Sequence, residues 1–237
     1  MMILAIDTSG PTFAAALLKE DTVLTEIFFQ TERHHSELLL PGVERMLQEA
    51  HVPLPELDLL ACTVGPGSFT GIRIGVSTVK GLALAAGKPV VGVSALEALA
   101  LNAAGFPELI CPLLDAKRGQ VYTGLYRSDG GRKLTNVLPD RVVAPEAIME
   151  LIAGDALFIG SGVPVYEDVI CARTTGRNYF AAPHLHRISA AAVGVIAWGR
   201  SRDGELTDHI RLSPMYIRRS EAEEKEIASV DRESKFP

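Results

Sequence analysis

Apolar and polar positions along the chain fall into short runs whose period changes several times. Strand-like runs at 3–6, 13–18 and 23–29 are separated by the turn-rich Asp7-Thr8-Ser9-Gly10-Pro11-Thr12 and by Lys19-Glu20-Asp21, which predicts an antiparallel meander. From 36 to 50 the period lengthens, and Leu39, Val43, Met46, Leu47 and Ala50 form one apolar helical stripe, with Pro41 near its first turns. A strand at 57–64 leads through Gly65-Pro66-Gly67 to Ser68, a side chain suited to cap a helix over 69–86. A strand at 89–93 and a helix capped by Ser94 and running to Asn102 complete a β-β-β-α-β-α-β-α order.

The second half opens in the same way. A strand at 110–114, Asp115, a turn through Lys117-Arg118-Gly119 and a strand at 120–126 repeat the run around Asp7, so Asp7 and Asp115 occupy equivalent places. A strand at 134–138, a helix at 145–153, a strand at 156–159 and a helix at 189–202 continue the echo less regularly. By analogy of element order, each half is ribonuclease-H-like, as in actin-like folds. The expected class is α/β: two ribonuclease-H-like (actin-like ATPase) subdomains, mixed sheets flanked by helices. Residues 1–104 form the first and 105–213 the second, with the last helix a candidate to pack back on the first. Residues 214–237 form a charged tail, and its Glu221-Ala222-Glu223-Glu224-Lys225-Glu226 run reads as solvated.

Composition narrows the function classes. With 47% apolar and 22% charged residues among 237, the chain has the makings of a real core. A net charge of −6 argues against an RNA binder acting alone, because phosphate binding rests on clustered Lys and Arg. Cys62, Cys111 and Cys171 are widely spaced and form no C-x-x-C pair, which fits a reducing compartment. Asp7 arrives too early for a secretory apolar region, and Lys88, Pro89 and Glu97 break the apolar stretch at 81–105. A cytoplasmic protein without a membrane span is expected.

Candidate chemistry is sparse. The segment from Gly65 to Gly75 suggests a phosphate cradle at a helix N-terminus, but its spacing is G-x-G-x-x-x-G, and Ile72 stands where a Walker lysine would. Gly71 and Gly75, four apart on one helical face, predict close approach of another helix. Leu38 and Leu40 add apolar surface to the preceding helix, to be covered either by the chain itself or by a partner. Asp7, Ser9, Asp115 and Arg118 sit where actin-like ATPases carry phosphate loops, but only as partial matches, and Gly160-Ser161-Gly162 is a weak echo of an adenosine loop. These positions read as degenerate, structural loops. His34 and His35 are adjacent and His184-Leu185-His186 lacks a further ligand, so no metal site is expected; neither H-E-x-x-H nor G-x-S-x-G occurs. Arg73, Ser77 and Lys80 share a helical face, either a solvated basic edge or a contact for acidic groups.

Three stretches together carry a resemblance: Ile3-Leu4-Ala5-Ile6-Asp7-Thr8-Ser9, Gly65-Pro66-Gly67-Ser68-Phe69-Thr70-Gly71-Ile72-Arg73-Ile74-Gly75, and Leu114-Asp115-Ala116-Lys117-Arg118-Gly119-Gln120-Val121-Tyr122. With His35-Ser36-Glu37 and Tyr216-Ile217-Arg218-Arg219, their order resembles that of the TsaB (YeaZ) family over most of the chain. The resemblance implies a non-catalytic subunit, without metal or cofactor, that pairs with its larger catalytic homologue TsaD and with the ATPase TsaE. That machinery places threonylcarbamoyl on the tRNA adenosine 3′ to the anticodon. An apolar patch left on a helix pair built for a homologous partner predicts a homodimer in the absence of TsaD, and the net charge of −6 predicts tRNA contact only through the complex. The resemblance places the TsaD-facing surface on the two helices, at Ser36, Leu39, Leu40, Val43, Met46 and Leu47 of the first and Phe69, Gly71, Ile72, Arg73, Gly75, Val76 and Val79 of the second. The rival is an actin-like superfamily enzyme, a small-molecule kinase or a glycoprotease-type metallopeptidase, working in the cleft between the halves.

Overall fold

The computed structural model describes residues 1–30, 35–130 and 133–218. Its frame is two five-stranded sheets of the same design. In the first, β1 (Met2–Asp7), β2 (Thr12–Lys19) and β3 (Thr22–Gln30) form the expected meander, and β4 (Leu59–Gly65) and β5 (Val90–Ser94) add in parallel, giving the order β3-β2-β1-β4-β5. In the second, β6 (Leu109–Asp115), β7 (Val121–Ser128), β8 (Leu134–Val143), β9 (Ala156–Ile159) and β10 (Asn178–Phe180) have the matching order β10-β9-β6-β7-β8. This is the mixed α/β architecture with two ribonuclease-H-like sheets that the element order predicts.

Helices explain why β1 and β2 read as unbroken apolar runs. Strand side chains alternate between faces, and a strand covered on both sides needs an apolar residue at every position. Leu4, Ile6, Phe13, Ala15 and Leu17 face α1 (His35–Glu49) and α2 (Phe69–Ala86). Ile3, Ala5, Ala14, Ala16 and Leu18 face α3 (Ala95–Leu101) and α6 (Ala190–Arg202). Two smaller helices, α4 (Pro145–Met149) and α5 (Val163–Arg173), pack together and cover the second sheet. Ser68, Ser94 and Ser189 each accept a backbone N–H of the helix they precede, so these three helix starts are set by their side chains.

The halves are not separate bodies. Helix α3 packs on β6, β7 and β8 as well as on its own sheet, and α6 lies on β1 and β2 of the first sheet. At Gly194 of α6 a Cβ would fall 2.3 Å from Leu18 Cδ1, so glycine is what lets this helix sit so close. Polar contacts finish the junction. Arg200 donates to Gly92 O at 2.6 Å and to Glu97 Oε2 at 2.5 Å, while Ser94 Oγ donates to Asp140 Oδ2 at 2.5 Å and the Tyr126 hydroxyl bonds the other oxygen of Asp140.

Several boundaries differ from the pattern-based reading. Leu54–Glu56 form a 3-10 turn ahead of β4, and the helix expected over 145–153 closes at Met149. Helix α5 and strand β10 were not foreseen: α5 has Pro164 in its first turn and a non-helical Tyr166 (φ −121°, ψ 18°), and β10 is three residues long. The start of the expected tail is tied down, since Met215 N donates to Val64 O at 2.7 Å; the acidic run after it lies outside the described residues. Among the described residues, no helix is long and apolar enough to cross a membrane.

The junction carries a pH dependence. Burial raises the Glu97 pKa, Arg200 opposes the shift, and Asp140 adds to it. Because the folded value is raised, the contribution to stability is complete below the ordinary glutamate value and is lost as pH rises through the folded value. Unfolding by urea between about pH 4 and pH 7 should therefore show the native chain losing stability relative to Glu97→Gln; a constant difference across that range would contradict the account.

Candidate functional site

Two places compete as the working site: the loops at the carboxyl ends of the central strands, and the outer face of α1 and α2. At the first, β1 ends on Asp7, which is 1% exposed. Its Oδ1 accepts from Ser9 N at 3.1 Å, Ser9 Oγ at 2.6 Å and Thr63 Oγ1 at 2.6 Å. The carboxylate is thus engaged by its own loop and by β4, as a buried carboxylate must be. Burial pushes the neighbouring Cys62 thiol up to about 12, with the charge of Asp7 adding to the shift, so that sulfur stays protonated.

The N-terminus of α2 rests on the same loop. Thr8 Oγ1 donates to Gly71 O at 2.7 Å and Ser68 N donates to Ser9 O at 2.7 Å. A Cβ would lie 2.2 Å from Ser9 O at Gly67, 2.0 Å from Thr8 O at Gly71 and 2.3 Å from Thr8 Oγ1 at Gly75. The small-residue face of α2 therefore accommodates the Thr8–Ser9 loop, and among the described residues the atoms nearest a Cβ at Gly71 or Gly75 belong to Thr8 and Ser68, not to another helix. This corrects the expectation drawn from the spacing of Gly71 and Gly75. At this helix N-terminus Ser68 N is taken by Ser9 O at 2.7 Å and Gly71 N by Ser68 Oγ at 3.2 Å.

The equivalent loop of the second sheet is built differently. Asp115 accepts from Lys117 N at 2.9 Å and from Lys117 Nζ at 2.7 Å. Burial acts to raise its pKa, but the Lys117 contacts outweigh it and hold the carboxyl below its ordinary value. Lys117 (φ 61°), Arg118 (φ 55°) and Gly119 (φ 69°) are all left-handed and close a tight turn, with Ala116 N bonded to Gln120 O at 3.0 Å. Gly160, Ser161 and Gly162 pack on the end of β6: a Cβ at Gly160 would be 2.3 Å from Leu113 O, Gly162 N donates to that oxygen at 2.9 Å, and Ser161 Oγ accepts from Asp115 N at 3.3 Å. His186 Nδ1 accepts from Gly160 N at 2.9 Å, and burial lowers its pKa, so it serves as a neutral loop brace. Among the described residues, no group of three or more His, Cys, Asp or Glu could hold a metal ion; His34 lies outside them.

The helix pair divides into a buried and an exposed half. Leu39, Val43, Met46 and Leu47 of α1 and Ile72, Val76 and Val79 of α2 are all buried in the core beneath the helices. The outer face presents Leu40 at 50% and Leu84 at 66% exposure, with Arg73, Ser77 and Phe69 also exposed. The side chain of Ser36 is outside the described set. Arg73 stands 3.8 Å over the Phe69 ring, Phe69 stacks on Tyr216 with centroids 5.0 Å apart, and Arg73 Nε donates to the Tyr216 hydroxyl at 2.7 Å. Tyr216 was not among the candidate site residues. Its signal was an aromatic residue beside Arg218 and Arg219 in a segment read as tail.

Comparison with known proteins bears on the fold and the family. The family model described as "TsaD: tRNA N6-adenosine threonylcarbamoyltransferase" matches residues 23–226. The chain is similar to the Bacillus subtilis (strain 168) "tRNA threonylcarbamoyladenosine biosynthesis protein TsaB", 38% identical over 234 residues, which cover 97% of this chain and 99% of the relative. Its fold is similar to that of YeaZ from Pseudomonas aeruginosa, with TM-score 0.77 and 31% identity over 91% of this chain and 99% of that one. The inorganic polyphosphate/ATP-glucomannokinase of Arthrobacter sp. strain KM, at TM-score 0.52 and 11% identity over 85% of this chain and 99% of that one, shares the fold alone.

Two glycines of α2 should respond in opposite ways to the same change. Gly71→Ala drives a Cβ into Thr8 O, whereas at Gly81 a Cβ meets nothing within 4 Å. Gly71→Ala should lower stability by about 3 kcal/mol or more, and Gly81→Ala should raise it by roughly 0.5–1 kcal/mol. Urea denaturation of both variants checks this, and midpoints moving in the same direction would contradict the packing described.

Proposed function

We propose a role that proceeds from one premise: the chain belongs to the TsaB family of tRNA threonylcarbamoyladenosine biosynthesis proteins, within the wider group that the TsaD model covers. The role is that of a non-catalytic subunit that binds TsaD and activates it. TsaD transfers threonylcarbamoyl from threonylcarbamoyl-adenylate to N6 of the adenosine 3′ to the tRNA anticodon. The observation that carries the non-catalytic reading is the self-occupied loop after β1, where Asp7 meets three donors of its own chain. A carboxyl group 1% exposed and bonded in this way to its own loop and to β4 is placed to hold the fold rather than to meet a substrate.

The TsaD model's match over residues 23–226 supports a homologous partner, because related folds can meet through equivalent helices about a pseudo-two-fold axis. Exposed Leu40, Phe69, Arg73 and Leu84 make the contact surface. Leu39, Val43, Met46, Leu47, Ile72, Val76 and Val79 hold it from beneath, and Gly71 and Gly75 fix the orientation of α2. The same face pairs two copies of this chain when TsaD is absent, TsaE joins the assembly, and tRNA is met through the complex, in keeping with a net charge of −6.

The surface residues allow a test that leaves the core alone. Leu40→Glu and Leu84→Glu should fold normally and weaken TsaD binding by roughly 30- to 1000-fold each, on the order of 2–4 kcal/mol for an interface anchor. Titration of TsaD with each variant, followed by a tRNA modification assay with components omitted in turn, measures both steps. Normal binding and stimulation by both variants would refute this face, and threonylcarbamoyl transfer by the chain alone would refute the non-catalytic reading.

A further inference from the structure

The chain beyond α6 returns to the first sheet and then leaves it again. Thr207 pairs with Val90 of β5, Leu212 is 3% exposed in the core beside α2, and Lys80 of α2 donates to Ile210 O at 3.2 Å and Leu212 O at 3.1 Å. Met215 N bonds Val64 O at 2.7 Å where β4 ends. Gly65 follows with φ 124°, and a Cβ there would lie 2.5 Å from Met215 O, so glycine is required for the segment to come this close. Tyr216 then joins Phe69 and Arg73 at the first turn of α2.

Two residues later the chain grips the second sheet. Arg218 Nη1 donates to Ala116 O at 2.7 Å, Nη2 bonds the Gln120 side-chain oxygen, and the guanidinium is 5.7 Å from the centre of the Tyr122 ring. The turn it holds contains the left-handed Lys117 and Arg118, a backbone that non-glycine residues adopt only when their surroundings impose it. The turn is also closed by two backbone bonds, Ala116 N to Gln120 O at 3.0 Å and Gln120 N to Lys117 O at 3.1 Å, and by Asp115, which accepts from Lys117 N and Nζ.

We propose that residues 212–218 form a strap that ties the first turn of α2 to the β6–β7 turn of the second sheet, so that a partner engaging Phe69 and Arg73 also changes the grip of Arg218. The strap itself stands on intramolecular contacts alone, whereas its use by a partner rests on the docking face proposed above. An aromatic anchor and a forked, charged anchor lie two residues apart with no slack between them, so displacing one strains the other.

Hydrogen exchange on the full isolated chain tests the strap. Tyr216→Ala, which removes no contact to residues 116–120, should speed exchange of the Ala116 and Gln120 amides about tenfold, close to the effect of Arg218→Ala. Arg218→Ala should in turn speed exchange of the Met215 amide at the other anchor. Arg45→Ala, on the outside of α1, should change neither and serves as the control. If each substitution acts only beside itself, the strap is overturned. Adding TsaD should alter exchange at 116–120; if it does not while the two anchors remain coupled, the regulatory use is overturned and the strap stands.

Discussion

A single carboxylate oxygen at the end of β1 accepts hydrogen bonds from Ser9 N, Ser9 Oγ and Thr63 Oγ1, out of contact with solvent. Removing those donors would leave a buried carboxyl oxygen without these bonds, which is costly, so the loop has little freedom to take another shape. Thr8 and Ser9 are thereby fixed, and α2 is built onto them through Gly71 O and Ser68 N. The direction of α2, and with it the outward face that carries Phe69, Arg73 and Leu84, follows from that loop. Changing Asp7 would therefore disturb that outward face through the fold.

The two halves show how one design acquires different uses. Both sheets carry an acid at the end of their first strand, but Asp115 keeps its charge near the surface beside Lys117, and its turn is closed by left-handed residues and by Arg218. Glycines serve both halves where a helix start meets a strand end, but Gly67, Gly71 and Gly75 seat α2 on the loop after β1, whereas Gly160 and Gly162 seat the start of α5 on Leu113 of β6 itself. The shared core, in which α3 reaches the second sheet and α6 the first, holds the halves as one body. Such a body presents its outer surface at a fixed angle, in keeping with the positioning role proposed.

Much of the fold was legible in the sequence because its signals are local. Serine caps at 68 and 94, the doubled strand-acid-turn-strand opening, and the unbroken apolar strands each follow from a few neighbouring residues. What the sequence left unread depends on contacts distant along the chain. Helix α5 lacks an amphipathic period and begins with a proline in its first turn, so nothing in its pattern separates it from a loop. The Gly71 and Gly75 spacing announces a close approach without saying what approaches, and the neighbour is a loop from residue 8. The apolar stripe of α1 identifies a buried face, while the proposed partner surface lies in the exposed positions beside it, where Leu40 was legible and the packing of Tyr216 on Phe69 and Arg73 was not.

The account turns on whether Asp7 supports the fold or the chemistry. The most direct measurement is the stimulation of TsaD-dependent tRNA modification by Asp7→Ala, expressed per folded molecule, alongside its unfolding free energy. The account predicts a loss of stability of about 2–4 kcal/mol with stimulation per folded molecule close to that of the native chain. Undiminished stability with stimulation abolished would make the loop after β1 the working site and contradict the reading given for the helix face.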